Sequence, residues 1–523
     1  MKKKKHVSKF GFIVSTLGAA IGLGNVWGFP TLLKQNGGLA FFVLYILAII
    51  ICGIPLLILE FNIGNMRRKS LINIFDEENP KASGFIGWFE SAFMFIVANY
   101  YTVLIGYVLI SLILNFTSSI NTSLWFDNNI LNPGGIGVAG NANFQWLAYL
   151  AFIAIVIIAG TIVMFRAKGI EKANVIFIPV LFVILLVLAI YVLTIPGALE
   201  GLGTVLMPTQ RTLSSFGNLQ VWSDAFGLGV FTVCVGSGFM MLFAGAAPKT
   251  QDNTNKAYIL SFGVLAISLL TLIMVFGSAG ILVHEQNPGL ITIDDYTKAI
   301  DEAFPKNDGA SFIFNVFPQT FNVINKQTFV CFGNFLGILF FTALLFAGLS
   351  SIIAMIEVVI NGIFSNYKVK EKQVIIILMI LMAAIGLVLM FKDTNQLLYS
   401  FQALAGSVNM LVMALVEIIL FIHIYKKLPI MIAYNNAHSW IKIGKTYKFA
   451  ISYLTPLLLA VNSVFMFYVF ISSGLSKPWW LSVLAVLLGI IMPLICSILS
   501  VTVLRKYQIK PVPVGMWQEG LEN

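Results

Sequence analysis

The chain has 523 residues, of which 59% are hydrophobic and 10% charged, and its mean hydropathy is +0.91. That composition excludes a soluble globular domain and fits a polytopic membrane protein. The net charge of +10 needs no nucleic-acid partner if the basic residues fall in cytoplasmic loops. Cys52, Cys234, Cys331 and Cys496 sit in apolar stretches without paired spacing, and His6, His284, His423 and His438 are scattered. Neither a disulfide framework nor a metal cluster is expected. Lys2–Lys5 before an apolar run imitate a secretory leader, but that run is long enough to span a bilayer.

In chain order, apolar stretches of spanning length lie at about 10–33, 39–63, 85–116, 144–165, 174–193, 222–246, 257–283, 329–364, 374–391, 396–425, 449–471 and 480–504, which gives twelve helices. With the N-terminus inside, all but seven of the 32 Lys and Arg fall on the inner side; the exceptions are Lys34, Arg211, Lys298, Lys306, Lys326, Lys392 and Lys477. Both termini are therefore expected in the cytoplasm, with the lipid bilayer as partner. The outer loop 117–143 has no Lys or Arg and reads as surface loop. The outer stretch 284–328 differs, because residues 293–304 have helical apolar spacing with Thr292 as an N-cap candidate. A structured lid and a bare loop both fit that pattern.

The first span contains Gly18, Gly22, Gly24 and Gly28 before Pro30, a poor choice for a continuous membrane helix. Its interruption frees backbone groups, which hydrocarbon tolerates only where they line a cavity or hold a ligand. Span six repeats the theme with Gly227, Gly229, Gly236 and Gly238. Breaks five spans apart point to a five-plus-five inverted repeat with a transport site at the repeat interface. Close helix packing through small residues is the alternative for either segment alone.

The residues that carry a family likeness are Gly22-Leu23-Gly24-Asn25-Val26-Trp27 with Phe29-Pro30, Asn36-Gly37-Gly38, Gly53-Ile54-Pro55-Leu56 with Glu60, Tyr100-Tyr101, Phe231-Thr232 and Ala347-Gly348-Leu349-Ser350-Ser351. The chain resembles the neurotransmitter:sodium symporter family in its bacterial amino-acid transporter branch. The resemblance implies an all-α polytopic fold of twelve transmembrane helices with helices 1 and 6 broken, and no enzymatic activity. It divides the chain into a cytoplasmic segment 1–9, a first repeat 10–193, an outer loop 194–221, a second repeat 222–425 with lid 284–328, an inner loop 426–448, spans 449–504 and a tail 505–523.

Carried over by resemblance, a sodium site falls on the carbonyls of Gly18, Ile21 and Ala347 and the hydroxyls of Ser350 and Ser351. Sodium, the only cofactor implied, is a hard cation that takes uncharged oxygens. A serine pair used only for helix packing is the other reading. The resemblance places a substrate carboxylate against the N–H groups of Leu23 and Gly24 and the hydroxyl of Tyr101, as half-helix N-termini favour. It places an ammonium near Ala20, Phe231 and Thr232. Val97, Cys234, Ser237, Ser351 and Met355 complete the pocket. Gly22 stands where monoamine carriers have an aspartate, so an amino acid is the expected substrate. Ser237 stands where a leucine-carrying member has a large aromatic, which leaves room for a bulky side chain.

Several positions depart from the family pattern. A second sodium site retains Ala20, Asn25 and Thr232, but Val264 replaces an asparagine, so weaker sodium binding is expected there. Tyr45 and Ser268 fit a chloride site, whereas Leu228 and Val264 do not, so chloride independence is expected. Gly28 and Gln402 replace both members of an outer-gate ion pair; Lys3, His6 and Ser365 replace inner-gate residues. Glu60 and Glu417 match positions that tie helices together, and Glu357 is a candidate proton-linked acid. The expected function is a sodium-coupled amino-acid symporter working by alternating access. A proton-coupled carrier of the same fold and a non-transporting amino-acid receptor are the alternatives. The preferred amino acid and the oligomeric state are not readable from these residues.

Overall fold

Proline and glycine set the shape of the helices. The computed structural model describes residues 8–79, 83–116, 144–208, 210–304, 309–328, 331–391, 400–401, 404, 408–474 and 479–508. Among them the regular elements are helical, with one isolated antiparallel bridge between Phe144 and Phe391. Pro30, Pro55, Pro456 and Pro493 each follow, two residues on, a widened π-turn: Gly24–Gly28, Ile49–Gly53, Ala450–Leu454 and Leu487–Ile491. Proline has no N–H and its ring collides with the carbonyl four residues back; the wider turn moves that carbonyl aside and lets the helix continue.

Nine described helices are long and apolar enough to cross a membrane: Leu39–Arg67, Gly84–Phe116, Trp146–Met164, Lys168–Leu193, Asn253–Gln286, Phe332–Asn366, Glu371–Leu389, Lys445–Ser472 and Val483–Thr502. The first span is a bent pair, Phe10–Ala20 and Gly24–Gln35, at 54°. The sixth is also broken, into Leu219–Thr232 and Phe239–Ala246. The shorter apolar helix Met410–Ile424 belongs to the tenth. Together these are twelve spans arranged as a five-plus-five inverted repeat with its first and sixth helices interrupted.

Burial separates core spans from those that meet lipid. The most apolar windows of Phe332–Asn366 and Gly84–Phe116 are 89% and 83% buried, whereas those of Glu371–Leu389 and Val483–Thr502 are 22% and 28% buried. The eighth and third spans pack together at the centre, and the eighth also packs on the fifth and on the first half-helix. Outward residues of the fifth span, such as Ile176, Val183, Val187 and Ile190, are exposed and apolar, as a lipid face requires.

The loops carry structure of their own. Residues 194–221 contain the helices Ala198–Leu206 and Gln210–Phe216, and the inner loop contains Leu428–His438. In 284–328, Ile293–Ala303 and Gly309–Gln327 are both helical. Thr292 caps the first of these by accepting from Asp295 N while Asp295 returns the bond, a capping box. The loop 117–143 lies outside the described residues.

Candidate functional site

At the first break, Ile21 leaves helical geometry at φ −81°, ψ 83°. Gly22 N donates to Ala20 O at 3.0 Å and Asn25 N to Gly22 O at 3.2 Å, which leaves the Gly18 and Ala19 carbonyls open to other helices. Span eight meets them there. Ser350 Oγ donates to Gly18 O and to Ala347 O, both at 2.8 Å. Ser351 Oγ lies 3.3 Å from each of Gly18 O, Ala19 O and Ala347 O. Four uncharged oxygens, from Gly18, Ala347, Ser350 and Ser351, thus converge in a fully buried place. Such a donor set fits a hard monovalent cation, since a hydroxyl that now donates can turn to present its oxygen. Ile21 sits at the same break, and its own N–H is taken by Leu17 O at 2.6 Å. Gly18 is tightly enclosed: a Cβ there would lie 3.0 Å from Asn174 Oδ1 and 3.2 Å from Ser350 Cβ, so those side chains would have to give by a few tenths of an ångström.

Span three contributes the opposite wall. Leu23 N donates to Tyr101 Oη at 2.7 Å, so the free amide at the break and the tyrosine hydroxyl are brought together. A Cβ at Gly22 would come within 2.5 Å of Tyr101 Oη and 2.9 Å of Ser351 Oγ; a side chain there would displace both hydroxyls. Beside this junction is a small cavity of about 30 Å³, lined among others by Ala20, Gly24, Val97, Phe231, Cys234 and Met355. Thr232, Ser237 and Ser351 also line it, and Leu23 does not. Among the described residues no Asp, Glu, Lys or Arg lines this cavity.

Span six reaches the cavity through its unwound stretch. Cys234, Gly236 and Gly238 have φ of 54°, 69° and 73°. Glycine is required at 236, because a Cβ there would lie 2.3 Å from Met410 O. Cys234 takes the same left-handed region with a side chain, at a cost of about 1 kcal/mol, and its thiol lies 3.4 Å from Ala19 O. Ser237 Oγ donates to Cys234 O at 2.5 Å.

Ala20, Asn25 and Thr232 also meet. Asn25 Nδ2 donates to Ala20 O at 2.9 Å, and Asn25 Oδ1 is buried with no hydrogen-bond partner among the described residues. Tyr45 Oη donates to Thr232 Oγ1 at 3.1 Å and pairs with Ser268 Oγ at 3.1 Å. Val264 is fully buried and offers no oxygen here, and Leu228 is likewise buried and apolar.

The positions read as altered gates divide. Among the described residues only Leu228 Cδ1, at 3.9 Å, lies near a Cβ built at Gly28, while Gln402, Lys3 and His6 lie outside the described residues. Ser365 Oγ donates to Ser70 Oγ at 2.6 Å. Polar contacts that the sequence did not reveal lie at both ends of the first span. On the outer side buried Lys34 donates to Phe304 O at 2.7 Å, lies 3.5 Å from Asp301 and sits over the Phe312 ring, which fastens the lid to the outer half-helix. On the inner side Glu171 accepts from Ser8 N at 3.2 Å and Ser8 Oγ at 2.8 Å. Glu357, read as a proton-linked candidate, is ion-paired with buried Arg166 at 3.2 Å.

Sequence reasoning missed Met94, Phe239 and Met410 in the cavity wall. Met94 was recoverable, since residues 94, 97 and 101 share one helical face. Met410 had no such signal, as it is placed by the approach of span ten to Gly236.

Two interrupted helices that meet uncharged oxygens and free amides halfway along their spans define a secondary transporter of the inverted-repeat class. Residues 3–132 and 121–510 match the sodium:neurotransmitter symporter family. The chain is 30% identical over 468 residues to an uncharacterized sodium-dependent transporter of Methanocaldococcus jannaschii, covering 88% of this chain and 89% of that one. It is 23% identical over 552 residues to the sodium-dependent neutral amino acid transporter B(0)AT2 of Mus musculus, 90% of this chain and 73% of that one. Its fold is similar to that of MhsT in a crystal structure with L-phenylalanine, at a TM-score of 0.70 and 24% identity over 88% of this chain and 99% of that one. The chain belongs to the sodium:neurotransmitter symporter family. It is a sodium-coupled, multi-pass membrane transporter and not an enzyme.

Proposed function

We propose that this transporter imports a neutral amino acid with an apolar, bulky side chain, driven by sodium and independent of chloride, through alternating access. The observation that carries the reading is the junction of Leu23 N with Tyr101 Oη, beside a cavity lined by no ionisable Asp, Glu, Lys or Arg. A zwitterion suits that place: its carboxylate takes the amide and the hydroxyl, and its ammonium takes carbonyls of Ala20, Phe231 and Thr232. An amine without its own carboxylate would find no counter-charge, since Gly22 cannot carry one. Met94, Met355 and Met410 are flexible enough to repack around a side chain larger than the cavity. The phenylalanine in the MhsT crystal and the neutral amino acid specificity in the name of the mouse relative support the same substrate class.

Sodium is cargo bound by Gly18, Ile21, Ala347, Ser350 and Ser351. The second site at Ala20, Asn25 and Thr232 is weak because Val264 supplies no oxygen. Residues 10–193 and 222–425 are the two repeats, both termini are cytoplasmic, and the membrane is the plasma (inner) membrane.

Binding of an amino-acid panel to purified protein during sodium titration, against a choline control, tests this reading. A Hill slope near one for a bulky apolar amino acid supports one working sodium site, and a slope clearly above one sinks that part. Binding indifferent to sodium overturns the symport reading. Counterflow in vesicles then separates a carrier from a receptor, which binds but exchanges nothing.

A further inference from the structure

Span five carries one amide where its own pattern calls for an apolar side chain. In the helix Arg166–Leu193, Ile170, Asn174, Ile178 and Leu181 recur at helical spacing and are buried, whereas Val175, Ile176 and Val183 on the other side are exposed. Asn174 is 0% exposed, and neither its Oδ1 nor its Nδ2 has a hydrogen-bond partner among the described residues. A buried amide in that condition is costly, and a leucine would fill the stripe without the cost. Polar groups within membrane spans face protein or water and mark the paths of ions.

What Asn174 faces is the sodium place. Its Oδ1 lies 3.0 Å, its Cγ 3.1 Å and Ser350 Cβ 3.2 Å from one point, the position that a Cβ on Gly18 would take. A glycine at 18 thus lets span five bring an oxygen up to the residue whose carbonyl is bonded by both Ser350 and Ser351. One turn nearer the start of the span, Glu171 accepts from Ser8 N at 3.2 Å and Ser8 Oγ at 2.8 Å. Span five therefore meets the first half-helix, Lys9–Ala20, both at its N-cap and near its broken end.

We propose that Asn174 is a further sodium-binding residue, its amide oxygen adding span five to the set formed by Gly18, Ile21, Ala347, Ser350 and Ser351. This inference rests on the sodium site of the proposed function and extends it to a third span. The ion then ties the first half-helix to span five as well as to span eight. Sodium binding and the seating of that half-helix on span five are linked, each favouring the other.

The rise of melting temperature with added salt, measured on the full chain in sodium, lithium and choline, tests the assignment. Asn174→Leu removes the oxygen and nearly keeps the volume. In choline it should be as stable as the wild type or more so, because an unpartnered buried amide is exchanged for an apolar group of similar size. In sodium, half-saturation should move to about threefold to tenfold higher concentration, the range of one lost uncharged contact. Lithium is smaller and is satisfied by fewer oxygens, so the preference for sodium over lithium should narrow. Asn174→Asp restores an oxygen and should return half-saturation to the wild-type value or below; if it behaves as Asn174→Leu, the oxygen is not what sodium uses and the proposal falls. Asn174→Ala is a second oxygen-free variant held to the same sodium shift, which keeps the test open if Asn174→Leu does not fold. Half-saturation that stays within about twofold in the oxygen-free variants, while Ser350→Ala still moves it, overturns the proposal and leaves the five-residue site standing. If Ser350→Ala does not move it either, the sodium site itself is refuted and this inference with it.

Discussion

Replacing Ser350 by alanine separates a sodium ligand from a packing serine. Ser350 Oγ is bonded to Gly18 O and Ala347 O at 2.8 Å, so its loss removes the shortest side-chain contact of two buried carbonyls whichever role it plays. A hydrogen bond or ligand contact to a charged group is worth about 1.5–3 kcal/mol. Removing one of five oxygens should therefore weaken sodium about tenfold to a hundredfold. The assay is the rise in melting temperature with added sodium, since a ligand that binds only the folded state stabilises it by mass action. Ser350→Ala should shift that curve to higher sodium by the same factor. Ser497→Ala is the control, because Ser497 Oγ bonds Pro493 O at 2.7 Å within span twelve and should leave the sodium curve in place. If Ser350→Ala lowers stability equally in sodium and choline and half-saturation moves less than about twofold, far below the loss of a charged contact, the serine pair is packing and the sodium site lies elsewhere.

Gly22→Ala should abolish substrate binding without unfolding the protein, because its Cβ, 2.5 Å from Tyr101 Oη, forces Tyr101 off Leu23 N; equilibrium binding reads this. Arg166→Met leaves Glu357 buried and unpaired and should cost about 3–5 kcal/mol, whereas the double variant Arg166→Met/Glu357→Met should recover most of it in thermal unfolding. Lys34→Ala removes the bond to Phe304 O and the contact with Asp301, so amide exchange across 293–304 should quicken with little change in the spans. Asp295 accepts from Thr292 Oγ1 and N, which holds its carboxyl below the ordinary 3.8. Its support of the lid helix is thus complete above that ordinary value and lost as pH falls through the lowered one. Exchange in Ile293–Ala303 should rise on acidification in the wild type and be fast at all pH values in Thr292→Ala.

The sequence announced its broken helices because glycine and proline act locally. Gly18, Gly22 and Gly24 in one apolar run, and Gly236 and Gly238 in another, cannot be read as uninterrupted helix, and the unwound backbone lies at both places. The meeting of Ser350 and Ser351 with Gly18 is not local. It joins residues more than 330 positions apart, and only the family likeness brought them together in advance. Where neither local chemistry nor likeness applied, the sequence was silent. Lys34 looked like an outer surface lysine until the lid placed Phe304 and Asp301 over it. Arg166 belonged to an inner loop, yet it is buried and ion-paired with Glu357 at 3.2 Å. Glu90 shows the limit most sharply. One acid in a span of 34 residues, Ser83–Phe116, carries no periodic signal, and nothing local in the sequence announces that it is fully buried. A charge in a membrane helix is informative only with its neighbours: the same residue type is ion-paired at 357 and, among the described residues, without a hydrogen-bond partner at 90. The difference is whether a guanidinium lies within reach, as that of Arg166 does at 3.2 Å from Glu357.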